Sequence, residues 1–549
     1  MDSDRRIFLA GLAGLATLAA CHDVGGSKSG NRAANGAGNF AGNHAGARAA
    51  VPASAGQGAY PFSLGVASGS PLPDAVVIWT RILFDPLNAA AMPALALPVR
   101  WEMADDEGFS RIVARGTASA TPALAHSVHV DVTGLTPARW YFYRFILGDA
   151  VSPVGRTRTA PAANAMPDRL KLAVASCQHW EFGTYAAHRH IAAAAPDLVA
   201  FLGDYIYEWG PYQLQHPKRA VRVSESFTLA DYRNRYAQYK SDPHLQGAHL
   251  VAPWIVTWDD HEVANDYAAD RDERLNPQFV LRRAAAYQAF YEHMPLRLSL
   301  PKPGDFANMR IYQRYDWGRL ARFHVLDDRQ YRAWHACPPK GRGGSSSVVR
   351  RDCPALDDPR RTMLGDTQDR WLAQGLSSSP ARWNILAQQT LMAQNSQLPF
   401  RQDADVRIWT DGWDGYPLAR QRLLDTLRTS GAANPVVLSG DVHSFFAAEI
   451  SRHPTRGPGR NNAVLASEFC GTSITSPSRP QQRTDEFVAI NPGIKYGKSD
   501  RRGYMLIDVT PETTTAHFQA LNDVQDAGSA IATAASFVVN NGRAGVVKV

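Results

Sequence analysis

The stretch Leu170–Glu208, LKLAVASCQHWEFGTYAAHRHIAAAAPDLVAFLGDYIYE, constrains the fold more than any other part of the chain. Leu170–Ala175 is a short, mostly apolar run of the kind that forms a buried strand, and it stops at Ser176-Cys177-Gln178. The Ala-rich segment from Thr184 to Ala195 predicts a helix, and Pro196 ends it. Asp197–Leu202 reads as a second buried strand that stops at Gly203-Asp204, with Tyr207 three residues further on. Strand, helix and strand thus bring a thiol and a carboxylate to adjacent strand ends. In open α/β sheets, ligands bind in the crevice beyond the carboxyl ends of the strands.

Two more apolar runs end in the same way. Trp254–Trp258 leads into Asp259-Asp260-His261-Glu262, with Asn265 just beyond, and Pro435–Leu438 leads into Ser439-Gly440-Asp441-Val442-His443. Alone, a Gly-Asp after a strand is usually a turn, and a lone Cys is usually a small buried hydrophobe. Four strand ends that all carry metal-ligand side chains point to one metal centre.

Gly203-Asp204-x-x-Tyr207 with Gly440-Asp441-Val442-His443 resembles the calcineurin-like metallophosphoesterases, and the fuller pattern resembles the PhoD-like alkaline phosphatases. That pattern comprises Ala175-Ser176-Cys177, Leu202-Gly203-Asp204-Tyr205-Ile206-Tyr207-Glu208, Trp258-Asp259-Asp260-His261-Glu262 and Leu438-Ser439-Gly440-Asp441-Val442-His443. It extends to Val325-Leu326-Asp327-x-Arg329-Gln330-Tyr331-Arg332, Leu364-Gly365 and Gln368-x-x-Trp371-Leu372, and spans Tyr60 to Leu521. The resemblance implies an α/β fold, an αββα sandwich preceded by a small antiparallel β-sandwich domain. It also implies an Fe³⁺ and Ca²⁺ centre bridged by Asp204.

The donor types lead to the same division of ions. Cys177 thiolate, Tyr207 phenolate and His443 imidazole make a poor site for Mg²⁺ or Ca²⁺ but suit a transition metal, with phenolate favouring Fe³⁺. Asp and Asn oxygens suit Ca²⁺ or another hard divalent ion, which assigns Asn265 and Asp441 to the second metal. Asp260 is a further candidate ligand, with Asp259 competing for that role. His261 reads as a group supporting the ligands, a phosphate contact or an acid; the plain alternative is a hydrogen-bonded structural histidine.

The rest of the chain divides by composition. Residues 1–21 read as a twin-arginine export signal, with Arg5-Arg6 before an apolar run too short to span a bilayer. Leu18-Ala19-Ala20-Cys21 matches a lipobox that would anchor the protein through Cys21, or an ordinary cleavage site that ends at a Cys. Residues 22–59, rich in Gly, Ala, Asn and Ser, are expected to be a flexible linker. Five short strands between turn signals place a β-sandwich domain at 60–160, with the catalytic domain at 168–525 and a C-terminal tail at 526–549. Cys337 and Cys353 flank a Pro-, Gly- and Ser-rich loop, which reads as a disulfide in an oxidising compartment or as two free thiols in a mobile loop. One departure from the family pattern stands out. After Val66-Ala67-Ser68-Gly69 the family continues with Asp-Pro, whereas this chain has Ser70-Pro71. The loss of that acidic residue puts an additional calcium site in doubt.

Lys and Arg are scattered along a 549-residue chain of net charge +7, without a nucleic-acid-binding motif. The expectation is an exported alkaline phosphatase or phosphodiesterase, periplasmic or secreted, either free or lipid-anchored through Cys21, in which a metal-activated oxygen attacks phosphorus in line. Asp204, His261, Asp441 and His443 would carry the chemistry, and the Tat export machinery would be a partner. The alternatives are a phospholipase D-like phosphodiesterase acting on lipid or cell-wall polymer and, in another class, a secreted binding protein.

Overall fold

A ten-stranded sheet takes its middle from the two strands that opened the sequence argument. In the computed structural model, which describes residues 60–86, 88, 92–212, 219–221, 223–298, 304–453 and 462–549, Leu170–Ala175, Leu198–Phe201 and Trp254–Val256 lie side by side and parallel. The expected signal, lipobox and linker, residues 1–59, lie outside the described residues. A second sheet of seven strands has Ala321–Val325, Trp383–Thr390, Pro435–Gly440 and Val464–Cys470 as its parallel run. The strands of both parallel runs are almost entirely buried, as expected when both faces are covered.

One apolar cluster joins the two sheets: Leu172, Val174 and Ala200 of the first meet Phe323, Ile385, Val436 and Leu438 of the second. The far face of the ten-stranded sheet shares a cluster with the helices Ala186–Ala194, Leu229–Lys240, Pro243–Val251 and Phe279–His293. The seven-stranded sheet does the same with Gly365–Ser377 and Pro417–Ser430. Local sequence sets the helix ends. Thr228 and Asp231 form a reciprocal capping box on the Leu229 helix. Pro417 starts its helix, and Gly431 ends it in the left-handed region at φ 72°.

The N-terminal strands form two sheets around a shared apolar cluster, and one of the two runs on into the ten-stranded sheet. Val66–Leu72, Ala75–Arg81 and Ser127–Thr133 continue the ten-stranded sheet through a parallel pairing of Gly69 with Trp254. The sheet built on Ile112–Ala120, Leu97–Ala104 and Trp140–Leu147 shares a cluster with them through Val76, Ile78, Val99, Met103 and Phe145. The segment expected as a C-terminal tail contains two strands. Ile531–Asn540 and Arg543–Lys548 form a hairpin that adds two strands beside Thr513–Leu521. Ala535, Phe537 and Val539 alternate inward and supply the apolar surface that holds it. Cys337 and Cys353 are disulfide-bonded, and closing a loop of that length contributes roughly 3 kcal/mol in the chain-entropy picture.

Candidate metal centre

The carboxyl ends of the two parallel runs meet. A Cβ on Gly440 would collide with the Ser176 hydroxyl, and the Ile474 N–H donates to the Ser176 carbonyl at 3.0 Å. A Cβ on Gly203 would collide with Asp259, so both glycines before the site aspartates are needed for close approach. The chain leaves these strands through tight corners: Cys177, Asp204, Asp441 and His443 all have positive φ, at 60°, 57°, 62° and 53°. For non-glycine residues this is a costly backbone region, characteristically held at functional sites by the surrounding structure.

Three groups of potential ligand atoms result, each with all atoms within 4.8 Å of one another: Cys177, Asp204 and His443; Asp204, Asp260 and His261; and Asp259, Asp260 and Asp441. Asp204 belongs to two groups, as the expected bridge would. Tyr207 joins the first through its hydroxyl, 2.8 Å from Asp204 Oδ2 and 3.3 Å from His443 Nε2. His443 Nδ1 lies 2.6 Å from the Pro477 carbonyl, which assigns the proton to Nδ1 and leaves Nε2 as the ligand atom. Among the described residues, Asp204 Oδ1 and Asp260 Oδ1 are buried with no hydrogen-bond partner. Two orphaned carboxylate oxygens inside these groups fit cations, since an unpaired buried charge is costly.

The hydrogen bonds of Asn265 run through its nitrogens, not through the side-chain oxygen expected to bind metal. Its amide nitrogen donates to Glu273 Oε1 at 2.6 Å and its backbone N–H to Glu208 Oε1 at 2.7 Å. Between the two competing aspartates, Asp259 is occupied by the Arg329 guanidinium, whereas Asp260 uses one oxygen on the Asp266 N–H at 2.7 Å and leaves the other without a hydrogen bond, 3.6 Å from Arg329. Ser70 lies in a different neighbourhood. It is buried with its hydroxyl 3.2 Å from Tyr315 and the Arg297 N–H, and 3.4 Å from the Pro295 carbonyl. None of the potential ligands is among those contacts.

Several residues quoted in the motifs without a role prove to organise the centre. Glu262 accepts backbone N–H groups from Asp204, Tyr205 and Asp259 at 3.0, 2.6 and 2.7 Å, tying two strand ends together. Glu208 holds His261 Nδ1 at 2.8 Å. Arg329, fully buried, faces Asp259, Asp411, Asp441 at 3.5 Å and Asp260 at 3.6 Å. Thr390 donates to Asp441 at 2.6 Å, and Ser476 donates to the Tyr207 hydroxyl at 2.6 Å. Their partners are 51 to 269 residues away in sequence, and no local pattern signals such pairings.

The electrostatics describe a centre short of positive charge. Burial, resisted by Arg329 and reinforced by Asp411 and Asp260, pushes the Asp441 carboxyl up to about 7. Burial also raises Asp259 and Asp260 despite Arg329. Burial and the Asp204 charge raise the Cys177 thiol well above its usual range. Asp204 goes the other way: burial opposes its ionisation, but His261 and His443 hold it down at about 2. For His261, burial disfavours the imidazolium, yet Asp260, Glu208 and Asp204 outweigh it and hold its pKa well above the ordinary value. Bound cations would reverse the upward shifts of the thiol and carboxylates.

Residues 172–518 match the model of the PhoD-like phosphatase family, and residues 47–161 match that of the PhoD-like phosphatase N-terminal domain. The chain belongs to the PhoD-like phosphatases. It is 45% identical over 500 residues to alkaline phosphatase D of Bacillus subtilis (strain 168), covering 89% of this chain and 83% of that protein. A solved structure of PhoD superposes with a TM-score of 0.83 at 44% identity, over 89% of this chain and 92% of the other. The corner residues Cys177, Asp204, Asp441 and His443, together with Asp260, converge on three overlapping groups of potential ligands.

Proposed function

We propose that the chain is an exported, metal-dependent phosphatase or phosphodiesterase, and that its layers correspond to the αββα sandwich of this enzyme class. The observation that carries the reading is the pair of orphaned oxygens on Asp204 and Asp260, each within a group of potential ligands. Cys177, Tyr207 and His443 are the softer donors and would hold Fe³⁺. Asp260 and Asp441, with Asp204 shared, would hold Ca²⁺ or a similar ion. When bound, a metal pair supplies a hydroxide near neutral pH and neutralises phosphate charge.

The chain's own groups define the rest. Arg329 fixes Asp259 and Asp441 and offsets part of their mutual repulsion. Glu262 locks the backbone on both sides of Gly203. His261, oriented by Glu208 through Nδ1, would present Nε2 to a phosphate oxygen or to the departing alkoxide. The Trp209 ring stands edge-on to His261 at 4.4 Å, with Tyr212 5.6 Å from Trp209. That aromatic wall favours substrates with an organic group on phosphorus and keeps the diesterase reading open. The twin arginines and Cys21 support export and lipid anchoring; replacing Arg5-Arg6 by lysines traps the precursor, and Cys21→Ala releases any anchored form.

The deciding experiment is metal analysis of protein exported through its own signal, together with hydrolysis of p-nitrophenyl phosphate and bis-p-nitrophenyl phosphate. The reading requires bound metal and turnover of at least one ester, lost on chelation and restored by metal. A metal-free protein with undiminished turnover would overturn it.

A further inference from the structure

The loop after the Val464–Cys470 strand forms one wall of the metal centre, and both sides of its Arg479 are pinned. On one side Ser476 donates to Tyr207, the Pro477 carbonyl holds His443 and Ser478 Oγ lies 2.9 Å from Ser444 Oγ. On the other, Pro480 caps the helix Gln481–Ile490, its carbonyl accepting the Arg483 N–H at 3.0 Å. Arg479 is therefore fixed two residues from the group that orients a ligand histidine.

Its guanidinium is unusual among the arginines near the centre. Arg329 is surrounded by carboxylates. Arg502 donates to the carbonyls of His443, Ser476 and Ser499 and to Ser473 Oγ. Arg483, the next arginine along, pairs with Glu486 and the Gln397 carbonyl. Among the described residues, Arg479 has only a cation–π contact, 5.0 Å above the Phe487 ring, and no carboxylate or hydrogen-bond partner. Desolvation pulls its pKa down to about 10, opposed by Cys470 and Asp441. The group is thus cationic at neutral pH and within electrostatic reach of Asp441, without being paired to it. Five N–H donors in a planar fork, on a partly exposed residue of the loop pinned to Tyr207 and His443, match the nonbridging oxygens of a phosphoryl group.

We propose that Arg479 binds an anionic oxygen of the substrate phosphate at the Asp441–His443 edge of the centre. The proposal rests on the hydrolase reading above, and phosphate binding tests it without turnover. Arg479→Met keeps the apolar stem over Phe487 and removes the fork; Arg479→Lys keeps the charge alone. With metal-loaded protein, calorimetric titration of inorganic phosphate should show Kd raised about 10-fold to 100-fold in Arg479→Met and less in Arg479→Lys. KM for p-nitrophenyl phosphate should rise in parallel, with metal content and Tm unchanged. Unaltered phosphate Kd in Arg479→Met would overturn the proposal. So would a change in Kd that vanishes once metal content is restored, because Arg479 would then support the metals rather than the substrate. If wild-type protein binds phosphate but turns over no ester, the hydrolase reading fails while the Kd comparison still judges Arg479.

Discussion

The two sides of the metal centre are built on different principles. On the side of Cys177, Tyr207 and His443, the donors are neutral or weakly acidic, and each is oriented by the backbone or by a hydroxyl: the Pro477 carbonyl for His443, Ser476 for Tyr207, Ser176 for Cys177. On the side of Asp259, Asp260 and Asp441, the donors are carboxylates and a fully buried arginine is part of the assembly. The difference teaches that ligand softness and charge balance are solved separately. The first side needs geometry, because protonated thiol and phenol coexist without repulsion. The second needs a permanent cation, because three carboxylates cannot stay ionised together in a buried space. Asp204 belongs to the first and faces the second.

The largest effect is expected where the two sides meet. Asp204→Asn should lower kcat/KM by about 10³-fold or more and release both kinds of ion together; loss of only one metal would show that Asp204 does not bridge. Arg329→Met attacks the acidic side alone. Leaving its carboxylates uncompensated should reduce the unfolding free energy of metal-free protein by about 3–5 kcal/mol, and added divalent metal should recover part of it while iron content holds. Equal stability of variant and wild type in denaturant titration would mean the carboxylates are protonated there. Tyr207→Phe attacks the other side alone. If iron is bound as Fe³⁺, wild-type protein is coloured by phenolate charge transfer, and the variant loses or shifts that band with an activity loss of about 10- to 100-fold. A colourless, active zinc protein would remove iron from the account.

A pH titration sharpens the contrast without mutation. Asp441 and Glu262 have folded-state pKa values raised to about 7 and about 8. An acid raised in this way holds its proton in the folded state while the unfolded chain has lost it, so it destabilises as pH climbs from the ordinary carboxylate range to the folded value. Asp204, held at about 2, contributes stability that is already complete above the ordinary range. Metal-free protein should therefore lose stability between about pH 4 and pH 8, and the Tm gap to the metal-loaded form should widen. A gap independent of pH would show that metals do not displace protons from these groups.

The smallest effect concerns Ser70. Its hydroxyl contacts Tyr315, the Pro295 carbonyl and the Arg297 N–H, away from both sides of the centre. Ser70→Asp should leave calcium affinity and stoichiometry unchanged by titration, against the sequence expectation that a carboxylate there would add a calcium site. Tighter calcium binding in the variant would restore that expectation.

What was legible in the sequence was what a strand or helix announces locally. Apolar runs ending in ligand side chains located Cys177, Asp204, Asp260, Asp441 and His443, and the structure gathers all five. Illegible were the partners that come from distant segments. Glu262 and Arg329 lie within motifs, yet most of their work consists of bonds to residues 57 to 112 positions away. Asn265 reads as an oxygen ligand by type, but the bonds from its nitrogens to Glu208 and Glu273, which orient its side chain, have no local signal. The C-terminal segment looked like a tail because its Ala- and Gly-rich strands carry few large apolar residues. Only the neighbouring strand Thr513–Leu521 gives Phe537 and Val539 a surface to bury.

The left-handed corners at Cys177, Asp204, Asp441 and His443 have a consequence for the protein's lifetime. Each such non-glycine corner costs on the order of 1–3 kcal/mol, and a whole domain is stable by only about 5–15 kcal/mol. Ions that bind the folded chain alone offset that cost through mass action. If the proposed Fe³⁺ is the bound ion, protein made when iron is scarce opens more often and meets proteases more often than its loaded counterpart. Abundance, measured as degradation half-life in iron-replete and iron-starved cultures, should track metal supply even where synthesis is constant.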